Sequence, residues 1–511
     1  MSNDFRCKSF REGQRVALKA SGYTDSDIAR PLIGIVNTYN EAHPGHCHYA
    51  SLIPYIRKGI NLAGGVAAEF GTISICDAMS APHSGENYVL PSRDVIADSV
   101  EVVVRSEGLD GIIMIASCDK IVPGLLMAAA RLDIPCVMVL GGPMLSVNNY
   151  QFNGRKPDLT SYPEAFGMRT NGTITKEKFD TITDIICPTC GSCQFMGTAN
   201  SMCCFAEAVG LALPGSSMIP AVYNTKKHSC EQAGEAVVQL VKKNITARQI
   251  ITIDSIKNGI AVAQATGAST NLVIHAVALA HEIGVPAEQV LPLFNEFKDK
   301  TPLVAHVNPN ADWDMEDFHK AGGVPRVMKA IERVLNTDCL TVTGKTVKEI
   351  LPKNRIFTGP ARVFDGERAY VKALEDDLVK PGDVAVIRYE GPKGGPGARE
   401  MGFVLKMMKG KNLMDKVAVI TDGRYSGTNN GCFVGHVSPE AAEGGPIAII
   451  RDGDMITIDT VEERAVTLHL SEEEIAARLA EWKYETQPLS GVIARYVTQV
   501  QSLGKGAVLE P

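Results

Sequence analysis

The sequence predicts an α/β protein of two domains: a parallel-sheet domain over residues 1–345, then a smaller, mainly β domain over residues 346–511. Three observations carry this reading. A chain of 511 residues exceeds what one hydrophobic core fills. In its first part, apolar β-branched runs alternate with loops and helical patterns, and strand, helix and strand on short connections form the βαβ unit of a parallel sheet. Between about residues 336 and 355 the pattern changes to short Thr/Val-rich pieces such as CLTVTGKTV, and strand-like runs with Gly-rich turns follow.

In chain order, PLIGIVN (31–37) leads into TYNEAHPGHCH, and FGTISI (70–75) into CDAMSAPHSGEN and the helical SRDVIADSVEVVVRS. GIIMIA (111–116) leads into SCDKIVPG, the helix LLMAAARL and the strand IPCVMVLGG. Ligand crevices of parallel sheets lie outside the carboxyl ends of the strands, so these polar loops are expected on one edge. ICPTCGSCQFMGTANSM precedes a helix, SMCCFAEAVGLAL, ending at Pro214-Gly215, and a long helical region broken at Gly322-Gly323 continues to about residue 335. The second domain reads as DVAVIRYEGPKGGPG, KVAVITDGRYSGTNNG, PIAIIRDGDMITID and RAVTLHL. A late surface helix, SEEEIAARLAEW (471–482), follows with Ser471 and Glu474 as a capping box.

Composition is ordinarily globular, 45% apolar and 21% charged. A net charge of -7 without a local basic cluster argues against nucleic acid as partner. The start, MSNDFRCKSFREG, has neither the apolar core of a signal peptide nor transit character. The longest uncharged stretch, NGIAVAQATGASTNLVIHAVALA, is broken by Gly, Asn, Gln, Ser and Thr and reads as a soluble helix entered through a Gly/Ser/Thr loop. The expectation is a cytoplasmic protein without a membrane partner, whose 13 cysteines are mostly reduced thiols.

Clustered thiols in such a chain point to metal or catalysis. Cys187, Cys190 and Cys193 form CPTCGSC; Cys203 and Cys204 lie close behind; Cys47, Cys76 and Cys118 stand alone. Two C-x-x-C steps suit iron–sulfur or zinc, although zinc lacks an evident second ligand pair, and unliganded thiols are the remaining reading. Cys118, on a strand-end loop, can supply a remote iron–sulfur ligand. Cys7, Cys136, Cys230, Cys339 and Cys432 read as ordinary small thiols. Asp77 and Asp119 fall on adjacent loop edges and suit magnesium, which takes oxygen ligands and keeps its waters; each alone reads equally as a turn or helix cap. Lys120 beside a cation is tolerable if neutral, paired or converted to an anion. In the second domain Glu390, Lys393 and Glu400 surround a Gly/Pro loop, and Ser426 and Thr428 follow a strand, but neither loop fits a nucleotide motif. His43, His46 and His48 in HPGHCH resemble a metal cluster without helical zincin spacing, and His83 and His436 are candidates for substrate contact.

Taken together, the motifs RPLIGIVNTYNE, PGHCH, LPSRDVIADSVE, SCDKIVPG, CPTCGSCQFMGTANSM, EGPKGGPGAREM, TDGRYSGTNNG and GHVSPEA, in this order, resemble the dihydroxy-acid and sugar-acid (aldonate) dehydratase family of iron–sulfur hydro-lyases. The likeness runs almost end to end. It implies an α/β domain followed by a β-barrel-like domain with the site between them, and a homodimer or dimer of dimers. It implies Cys118 and Cys193 as cluster ligands, with the third among Cys187, Cys47 and Cys190. Asp77, Asp119, Glu400 and Lys120, the last through a carbamate, would hold Mg2+. Ser426 would be the base, with Thr428 near the substrate carboxylate.

Two departures sharpen the reading. Members with a 2Fe–2S cluster carry a Cys where this chain has Gly45, which favours a 4Fe–4S cluster. The segment CDAMSAPH lacks the Gly that usually follows the Asp, and so bears on substrate shape. PGH and CPTCGSC resemble the branched-chain enzymes, whereas SGTNNG resembles the sugar-acid members. The resulting expectation is dehydration of 2,3-dihydroxyisovalerate to 2-ketoisovalerate in branched-chain amino-acid synthesis. An aldonate dehydratase is the alternative, and a non-catalytic iron–sulfur sensor the alternative of another class.

Overall fold

The computed structural model describes residues 8–351, 356–414, 416–425, 431–460, 465–484 and 488–509. The chain divides into two compact units, Met1–Pro352 and Lys353–Pro511.

The first unit is built on four parallel strands, β1 (Leu32–Asn37), β2 (Val66–Gly71), β3 (Gly111–Ala116) and β4 (Cys136–Leu140), ordered β2-β1-β3-β4. The runs expected at 31–37, 111–116 and 134–142 thus form strands. Every residue of β3 and β4 is buried, which explains their unbroken apolar sequences: a central parallel strand is covered on both faces. Ile35 pairs with Ile113 across β1 and β3, and both are fully buried, so truncation of either to Ala would cost about 2–5 kcal/mol.

The second strand lies earlier than the expected FGTISI. Val66–Gly71 pairs along the whole of β1, Leu32 with Val66 through Asn37 with Gly71. Residues 72–76 then run as a loop. This strand is an edge with a partly exposed second half, so pairing with β1 sets its position in place of a β-branched run.

Helices cover both faces. Ile121–Leu132 begins directly after Lys120, earlier than the expected LLMAAARL, and is buried almost throughout. Tyr49–Leu62 packs against Asn224–Lys243 at backbone distance: a Cβ on Gly59 would lie 1.9 Å from the Glu231 carbonyl oxygen, and one on Gly234 2.3 Å from that of Ile56. Only glycine permits that crossing. The expected helix 201–213 is seen as Thr198–Ala208. The long uncharged stretch splits into Ile253–Thr266 and Leu272–Glu282 around a short loop. Among the described residues no helix is long and apolar enough to cross a membrane.

The second unit carries a mixed sheet of six strands: β5 (Ile356–Asp365), β6 (Val384–Arg388), β7 (Ala418–Thr421), β8 (Cys432–Val434), β9 (Met455–Asp459) and β10 (Ala465–Leu468), ordered β10-β9-β5-β6-β7-β8. The first half of β5 pairs antiparallel with β9 and its second half parallel with β6, so one strand serves two ladders and the sheet curls. The expected barrel-like form is met only as a half-barrel, since among the described residues the ladder ends at β10 and β8 without pairing. Glu472–Glu481 is the late helix; Ser471 Oγ accepts from Glu474 N at 3.2 Å, while the Glu474 carboxylate accepts from Arg478. That is one half of the expected capping box.

Candidate active site

The strand order β2-β1-β3-β4 reverses direction between β1 and β3, and a crevice opens outside the carboxyl ends of strands at such a point. The loops after β1 and β3 are tied together there. Thr38 Oγ1 donates to the Ile115 carbonyl at 2.6 Å, and Ser117 Oγ donates to the Gly45 carbonyl at 2.8 Å. Tyr49 OH meets Ser117 Oγ at 2.7 Å, and Ser117 N donates to His46 Nε2 at 3.3 Å.

This layer accounts for HPGHCH. His43 and His46 stack with ring centroids 4.1 Å apart, and His46 and His48 pack on Tyr49. Burial pulls the His43 and His48 rings down to about 4 and His46 well below its ordinary value. These rings are neutral packing elements beneath the loops. His83 is spent differently: its Nδ1 accepts from Gly85 N at 2.9 Å and caps a short turn.

Above the layer, the loops after β2 and β3 deliver two Cys-Asp pairs, Cys76-Asp77 and Cys118-Asp119. The carboxylates share one cation: Lys120 Nζ donates to Asp77 Oδ2 at 3.0 Å and to Asp119 Oδ1 at 2.8 Å. Burial, then the charge of Asp77, pushes the Asp119 carboxyl up to about 7. Burial also works against the Lys120 ammonium, yet Asp119 and Asp77 hold its pKa above the ordinary value. The thiols are joined as well. The hydrogen bond from Cys118 brings Cys76 down to about 7, and the same bond with burial drives Cys118 up.

CPTCGSC reaches the same place. Gly191 N donates to the Pro44 carbonyl and Ser192 N to that of Gly142, both at 2.9 Å. Gly191 sits at φ +132°, where a Cβ would lie 2.5 Å from Met144 N. Asn200, on the buried helix behind, donates to the carbonyls of Cys193 at 2.6 Å and Phe195 at 2.7 Å and accepts from Ser192 Oγ. Cys193 is thereby held near the pair; burial, followed by the charges of Cys76 and Cys187, pushes its thiol up to about 12. Cys187 is exposed and Cys190 half-buried; burial, then the charge of Cys47, raises the Cys190 thiol.

Two residues not singled out from sequence complete the edge. His275 is fully buried with neither ring nitrogen hydrogen-bonded, its Nε2 3.9 Å from Asp119 Oδ1. Burial, then Lys120 and Arg93, pulls its pKa down to about 3. Arg93 Nε is likewise buried and unpartnered. A lone His in an apolar helix carries no pattern; the repeated Cys-Asp doublet was the available signal for Cys76.

The donors fit the two inorganic groups that the sequence implies. Asp77 Oδ1 is buried with no partner, and a pair of neighbouring carboxylates suits Mg2+, which needs one or two of them beside its waters. Among the described residues no three Cys, His, Asp or Glu side chains surround a single point. An iron–sulfur cluster does not ask for that, because its thiolates are shared out over several irons.

In the second unit, Glu390 is fully buried, accepts from Arg399 Nη2 at 2.8 and 2.9 Å, and takes Glu367 N at 2.7 Å. Lys393 Nζ pairs with Glu443 at 2.6 Å. These two hold the Gly/Pro loop in shape. Glu400 is more open, with Arg424 Nη1 3.8 Å from its Oε2. His436 adopts φ +58° and donates its N–H to the Gly423 carbonyl at 2.9 Å. Ser426 and Thr428 lie outside the described residues.

An α/β protein whose sheet crevice sets a hard oxygen site beside a soft sulfur site is thus defined by fold and geometry together. The chain belongs to the dihydroxy-acid/6-phosphogluconate dehydratase family: the family's N-terminal domain matches residues 30–350 and its C-terminal domain residues 333–507. It is 43% identical to a dihydroxy-acid dehydratase of Desulfatibacillum aliphaticivorans, over 99% of this chain and 100% of that one. It is 43% identical to one of Caldanaerobacter subterraneus subsp. tengcongensis, over 98% and 97%. A dihydroxy-acid dehydratase of Pyrococcus abyssi is 41% identical over 98% of both chains.

Proposed function

We propose that this protein removes water from a 2,3-dihydroxy carboxylate to give a 2-keto acid, acting on 2,3-dihydroxyisovalerate in branched-chain amino-acid synthesis. The observation that carries the reading is the pair of Cys-Asp doublets at the mouth of the crevice, thiols joined to thiols and carboxylates sharing Lys120. The full-length relatives, all named dihydroxy-acid dehydratases, support the substrate.

The chemistry requires such a pairing. The proton lost is α to a carboxylate and the leaving group is hydroxide, while acid–base help alone supplies about 10²–10⁴-fold, below the roughly 10⁶-fold or more typical of enzymes. When bound, Mg2+ and an iron–sulfur cluster supply Lewis acidity at the two ends of the substrate. Asp77, Asp119 and Lys120 would hold the Mg2+, with Glu400 as a further ligand, and Cys118 and Cys193 would hold the cluster. Lys120 joins the set as a carbamate, formed when its neutral amine takes up carbon dioxide and releases a proton; a cationic side chain then becomes an anionic ligand. Ser426 takes the proton from C2, hydroxide leaves C3, and the resulting enol becomes the keto acid. Thr428 and His436 hold the substrate carboxylate end.

Free thiols at every described cysteine support a reducing, cytoplasmic setting. Exposed Val95 and Val102, seven apart on the helix Val89–Glu107, with exposed Tyr88 at its N-cap, support a homodimer or dimer of dimers.

The deciding experiment is an anaerobic 2-keto-acid assay over a panel of short dihydroxy acids and aldonates. Turnover of 2,3-dihydroxyisovalerate is expected to lead the panel. A preference for aldonates would reassign the substrate, and no turnover of any member with cluster and Mg2+ loaded would leave the sensor reading. In the same assay Ser426→Ala is expected to keep the cluster absorption while losing turnover.

A further inference from the structure

CPTCGSC and the SCD loop supply two thiols to one pocket, Cys193 and Cys118, and the sequence leaves the third among Cys187, Cys47 and Cys190. The tertiary structure offers a different residue. β2 and β3 flank β1 on either side, in parallel and in register, so their carboxyl ends rise to the same level. Each ends in a loop carrying Cys followed by Asp, and the two doublets meet like with like: Asp77 and Asp119 on Lys120 Nζ, Cys118 donating to Cys76.

We propose that Cys76 is the third protein thiolate of the iron–sulfur cluster, beside Cys118 and Cys193. This rests on the dehydratase reading above. Cys76 is the thiol in contact with Cys118, and Cys193 and Cys187 stand close enough to sense its charge. Its backbone is pinned where the short helix begins, Met79 N and Ser80 N donating to the Cys76 carbonyl at 3.0 and 3.2 Å. Of the other candidates, Cys47 Sγ donates to the Pro44 carbonyl at 3.6 Å, Cys190 feels the charge of Cys47, and Cys187 is the exposed member of its loop. Cys76 and Asp77 are consecutive, so a single turn of backbone presents one donor to the soft centre and the next to the hard one. The arrangement fixes the spacing between the two centres through a peptide unit.

The test uses the full-length protein, purified and reconstituted with ferrous iron and sulfide under anaerobic conditions, with iron and sulfide content, visible absorption and electron paramagnetic resonance of the reduced cluster as readouts. Wild type is compared with Cys76→Ala, Cys76→Ser, Cys187→Ala, Cys47→Ala and Cys190→Ala. Cys76→Ala is expected to lose more than half of its iron and sulfide. Cys76→Ser, whose oxygen can still ligate, is expected to retain iron with a shifted spectrum, while the other three match wild type. Wild-type iron content and spectra in Cys76→Ala would overturn the assignment, as would loss of the cluster in Cys187→Ala with Cys76→Ser unchanged. Should circular dichroism show that Cys76→Ala fails to fold, the Cys76→Ser spectrum decides: shifted supports, identical overturns. A wild-type protein that takes up no iron and sulfide would instead remove the cofactor reading on which this assignment depends.

Discussion

Asp77 and Asp119 in the first unit, and Glu390, Asp422 and Glu440 in the second, are two groups of enclosed carboxylates with opposite hydrogen-bond balance. Asp422 accepts from the backbone N–H groups of Tyr389, Glu390 and Ala441 at 2.9–3.0 Å. Glu440 accepts from Lys393 N and Gly394 N, and Glu390 from Arg399. Each of these carboxylates holds a turn in place. At the first site one oxygen of Asp77 is buried without a partner, and the single ammonium of Lys120 serves two acids. The difference teaches how to separate structural acids from ligand acids in one chain. A carboxylate matched by fixed N–H groups has nothing left to offer, whereas a buried oxygen without a donor is costly until a cation arrives.

The largest expected effect breaks that contrast most directly. Asp119→Asn should lower kcat by at least about 10²–10³-fold, the scale on which electrostatic stabilisation of a transition state acts, with little change in the unfolding midpoint. Asp422→Asn should do the reverse, costing about 1–3 kcal/mol of stability by leaving an N–H facing a donor. Steady-state kinetics and denaturant titration on both variants test this; an inactive but fully stable Asp422→Asn would erase the distinction.

Next in size, Lys120→Arg should weaken Mg2+ binding by at least about 10-fold, because guanidinium keeps its charge and cannot form a carbamate. Titration calorimetry with Mg2+ measures it, and unchanged affinity would return Lys120 to a plain ion-pair role. A smaller effect probes the scaffold behind the thiols. Asn200→Ala leaves the Cys193 and Phe195 carbonyls without their donor and should cost about 1–3 kcal/mol together with part of the iron content; full iron loading at wild-type stability would show that the loop holds Cys193 unaided.

The smallest expected effect concerns the layer beneath. His43 and His48 are pulled down to about 4 and His275 to about 3, chiefly by burial. Between those values and the ordinary 6.5 the unfolded chain binds more protons than the folded one, so stability falls as pH drops from about 6.5 to 4. Asp119, pushed up to about 7, works in the opposite sense over this range, so the test uses apo Asp119→Asn: its denaturation midpoints should decline with falling pH more steeply than those of wild type, and a flat profile would mean that the rings are not enclosed.

Much of the first sheet was readable before folding. β1, β3 and β4 are continuous apolar runs because both of their faces are covered, and that leaves a mark in composition. β2 left less: Ala67, Ala68 and Glu69 carry no strand signature, and the expected FGTISI was displaced by pairing with β1. Of the second sheet, β6, β7, β9 and β10 were visible as apolar runs, whereas β5 and β8 were not, and neither was the half-barrel form, which depends on β5 dividing its length between two partners.

Sequence by itself determined the family, the alternation of strands and helices, and the residue types that any site here must use: thiols after two strands, carboxylates beside them, and a lysine between. Tertiary structure decided which of them meet. Three histidines that resembled a metal cluster became a packed layer, Glu390 and Lys393 became loop pins, and Cys76, alone in the chain, came to lie against Cys118. The physical reason is that parallel strands bring residues more than 40 positions apart to one edge, and neither spacing nor composition along the chain encodes which groups find a partner there and which remain open to a ligand.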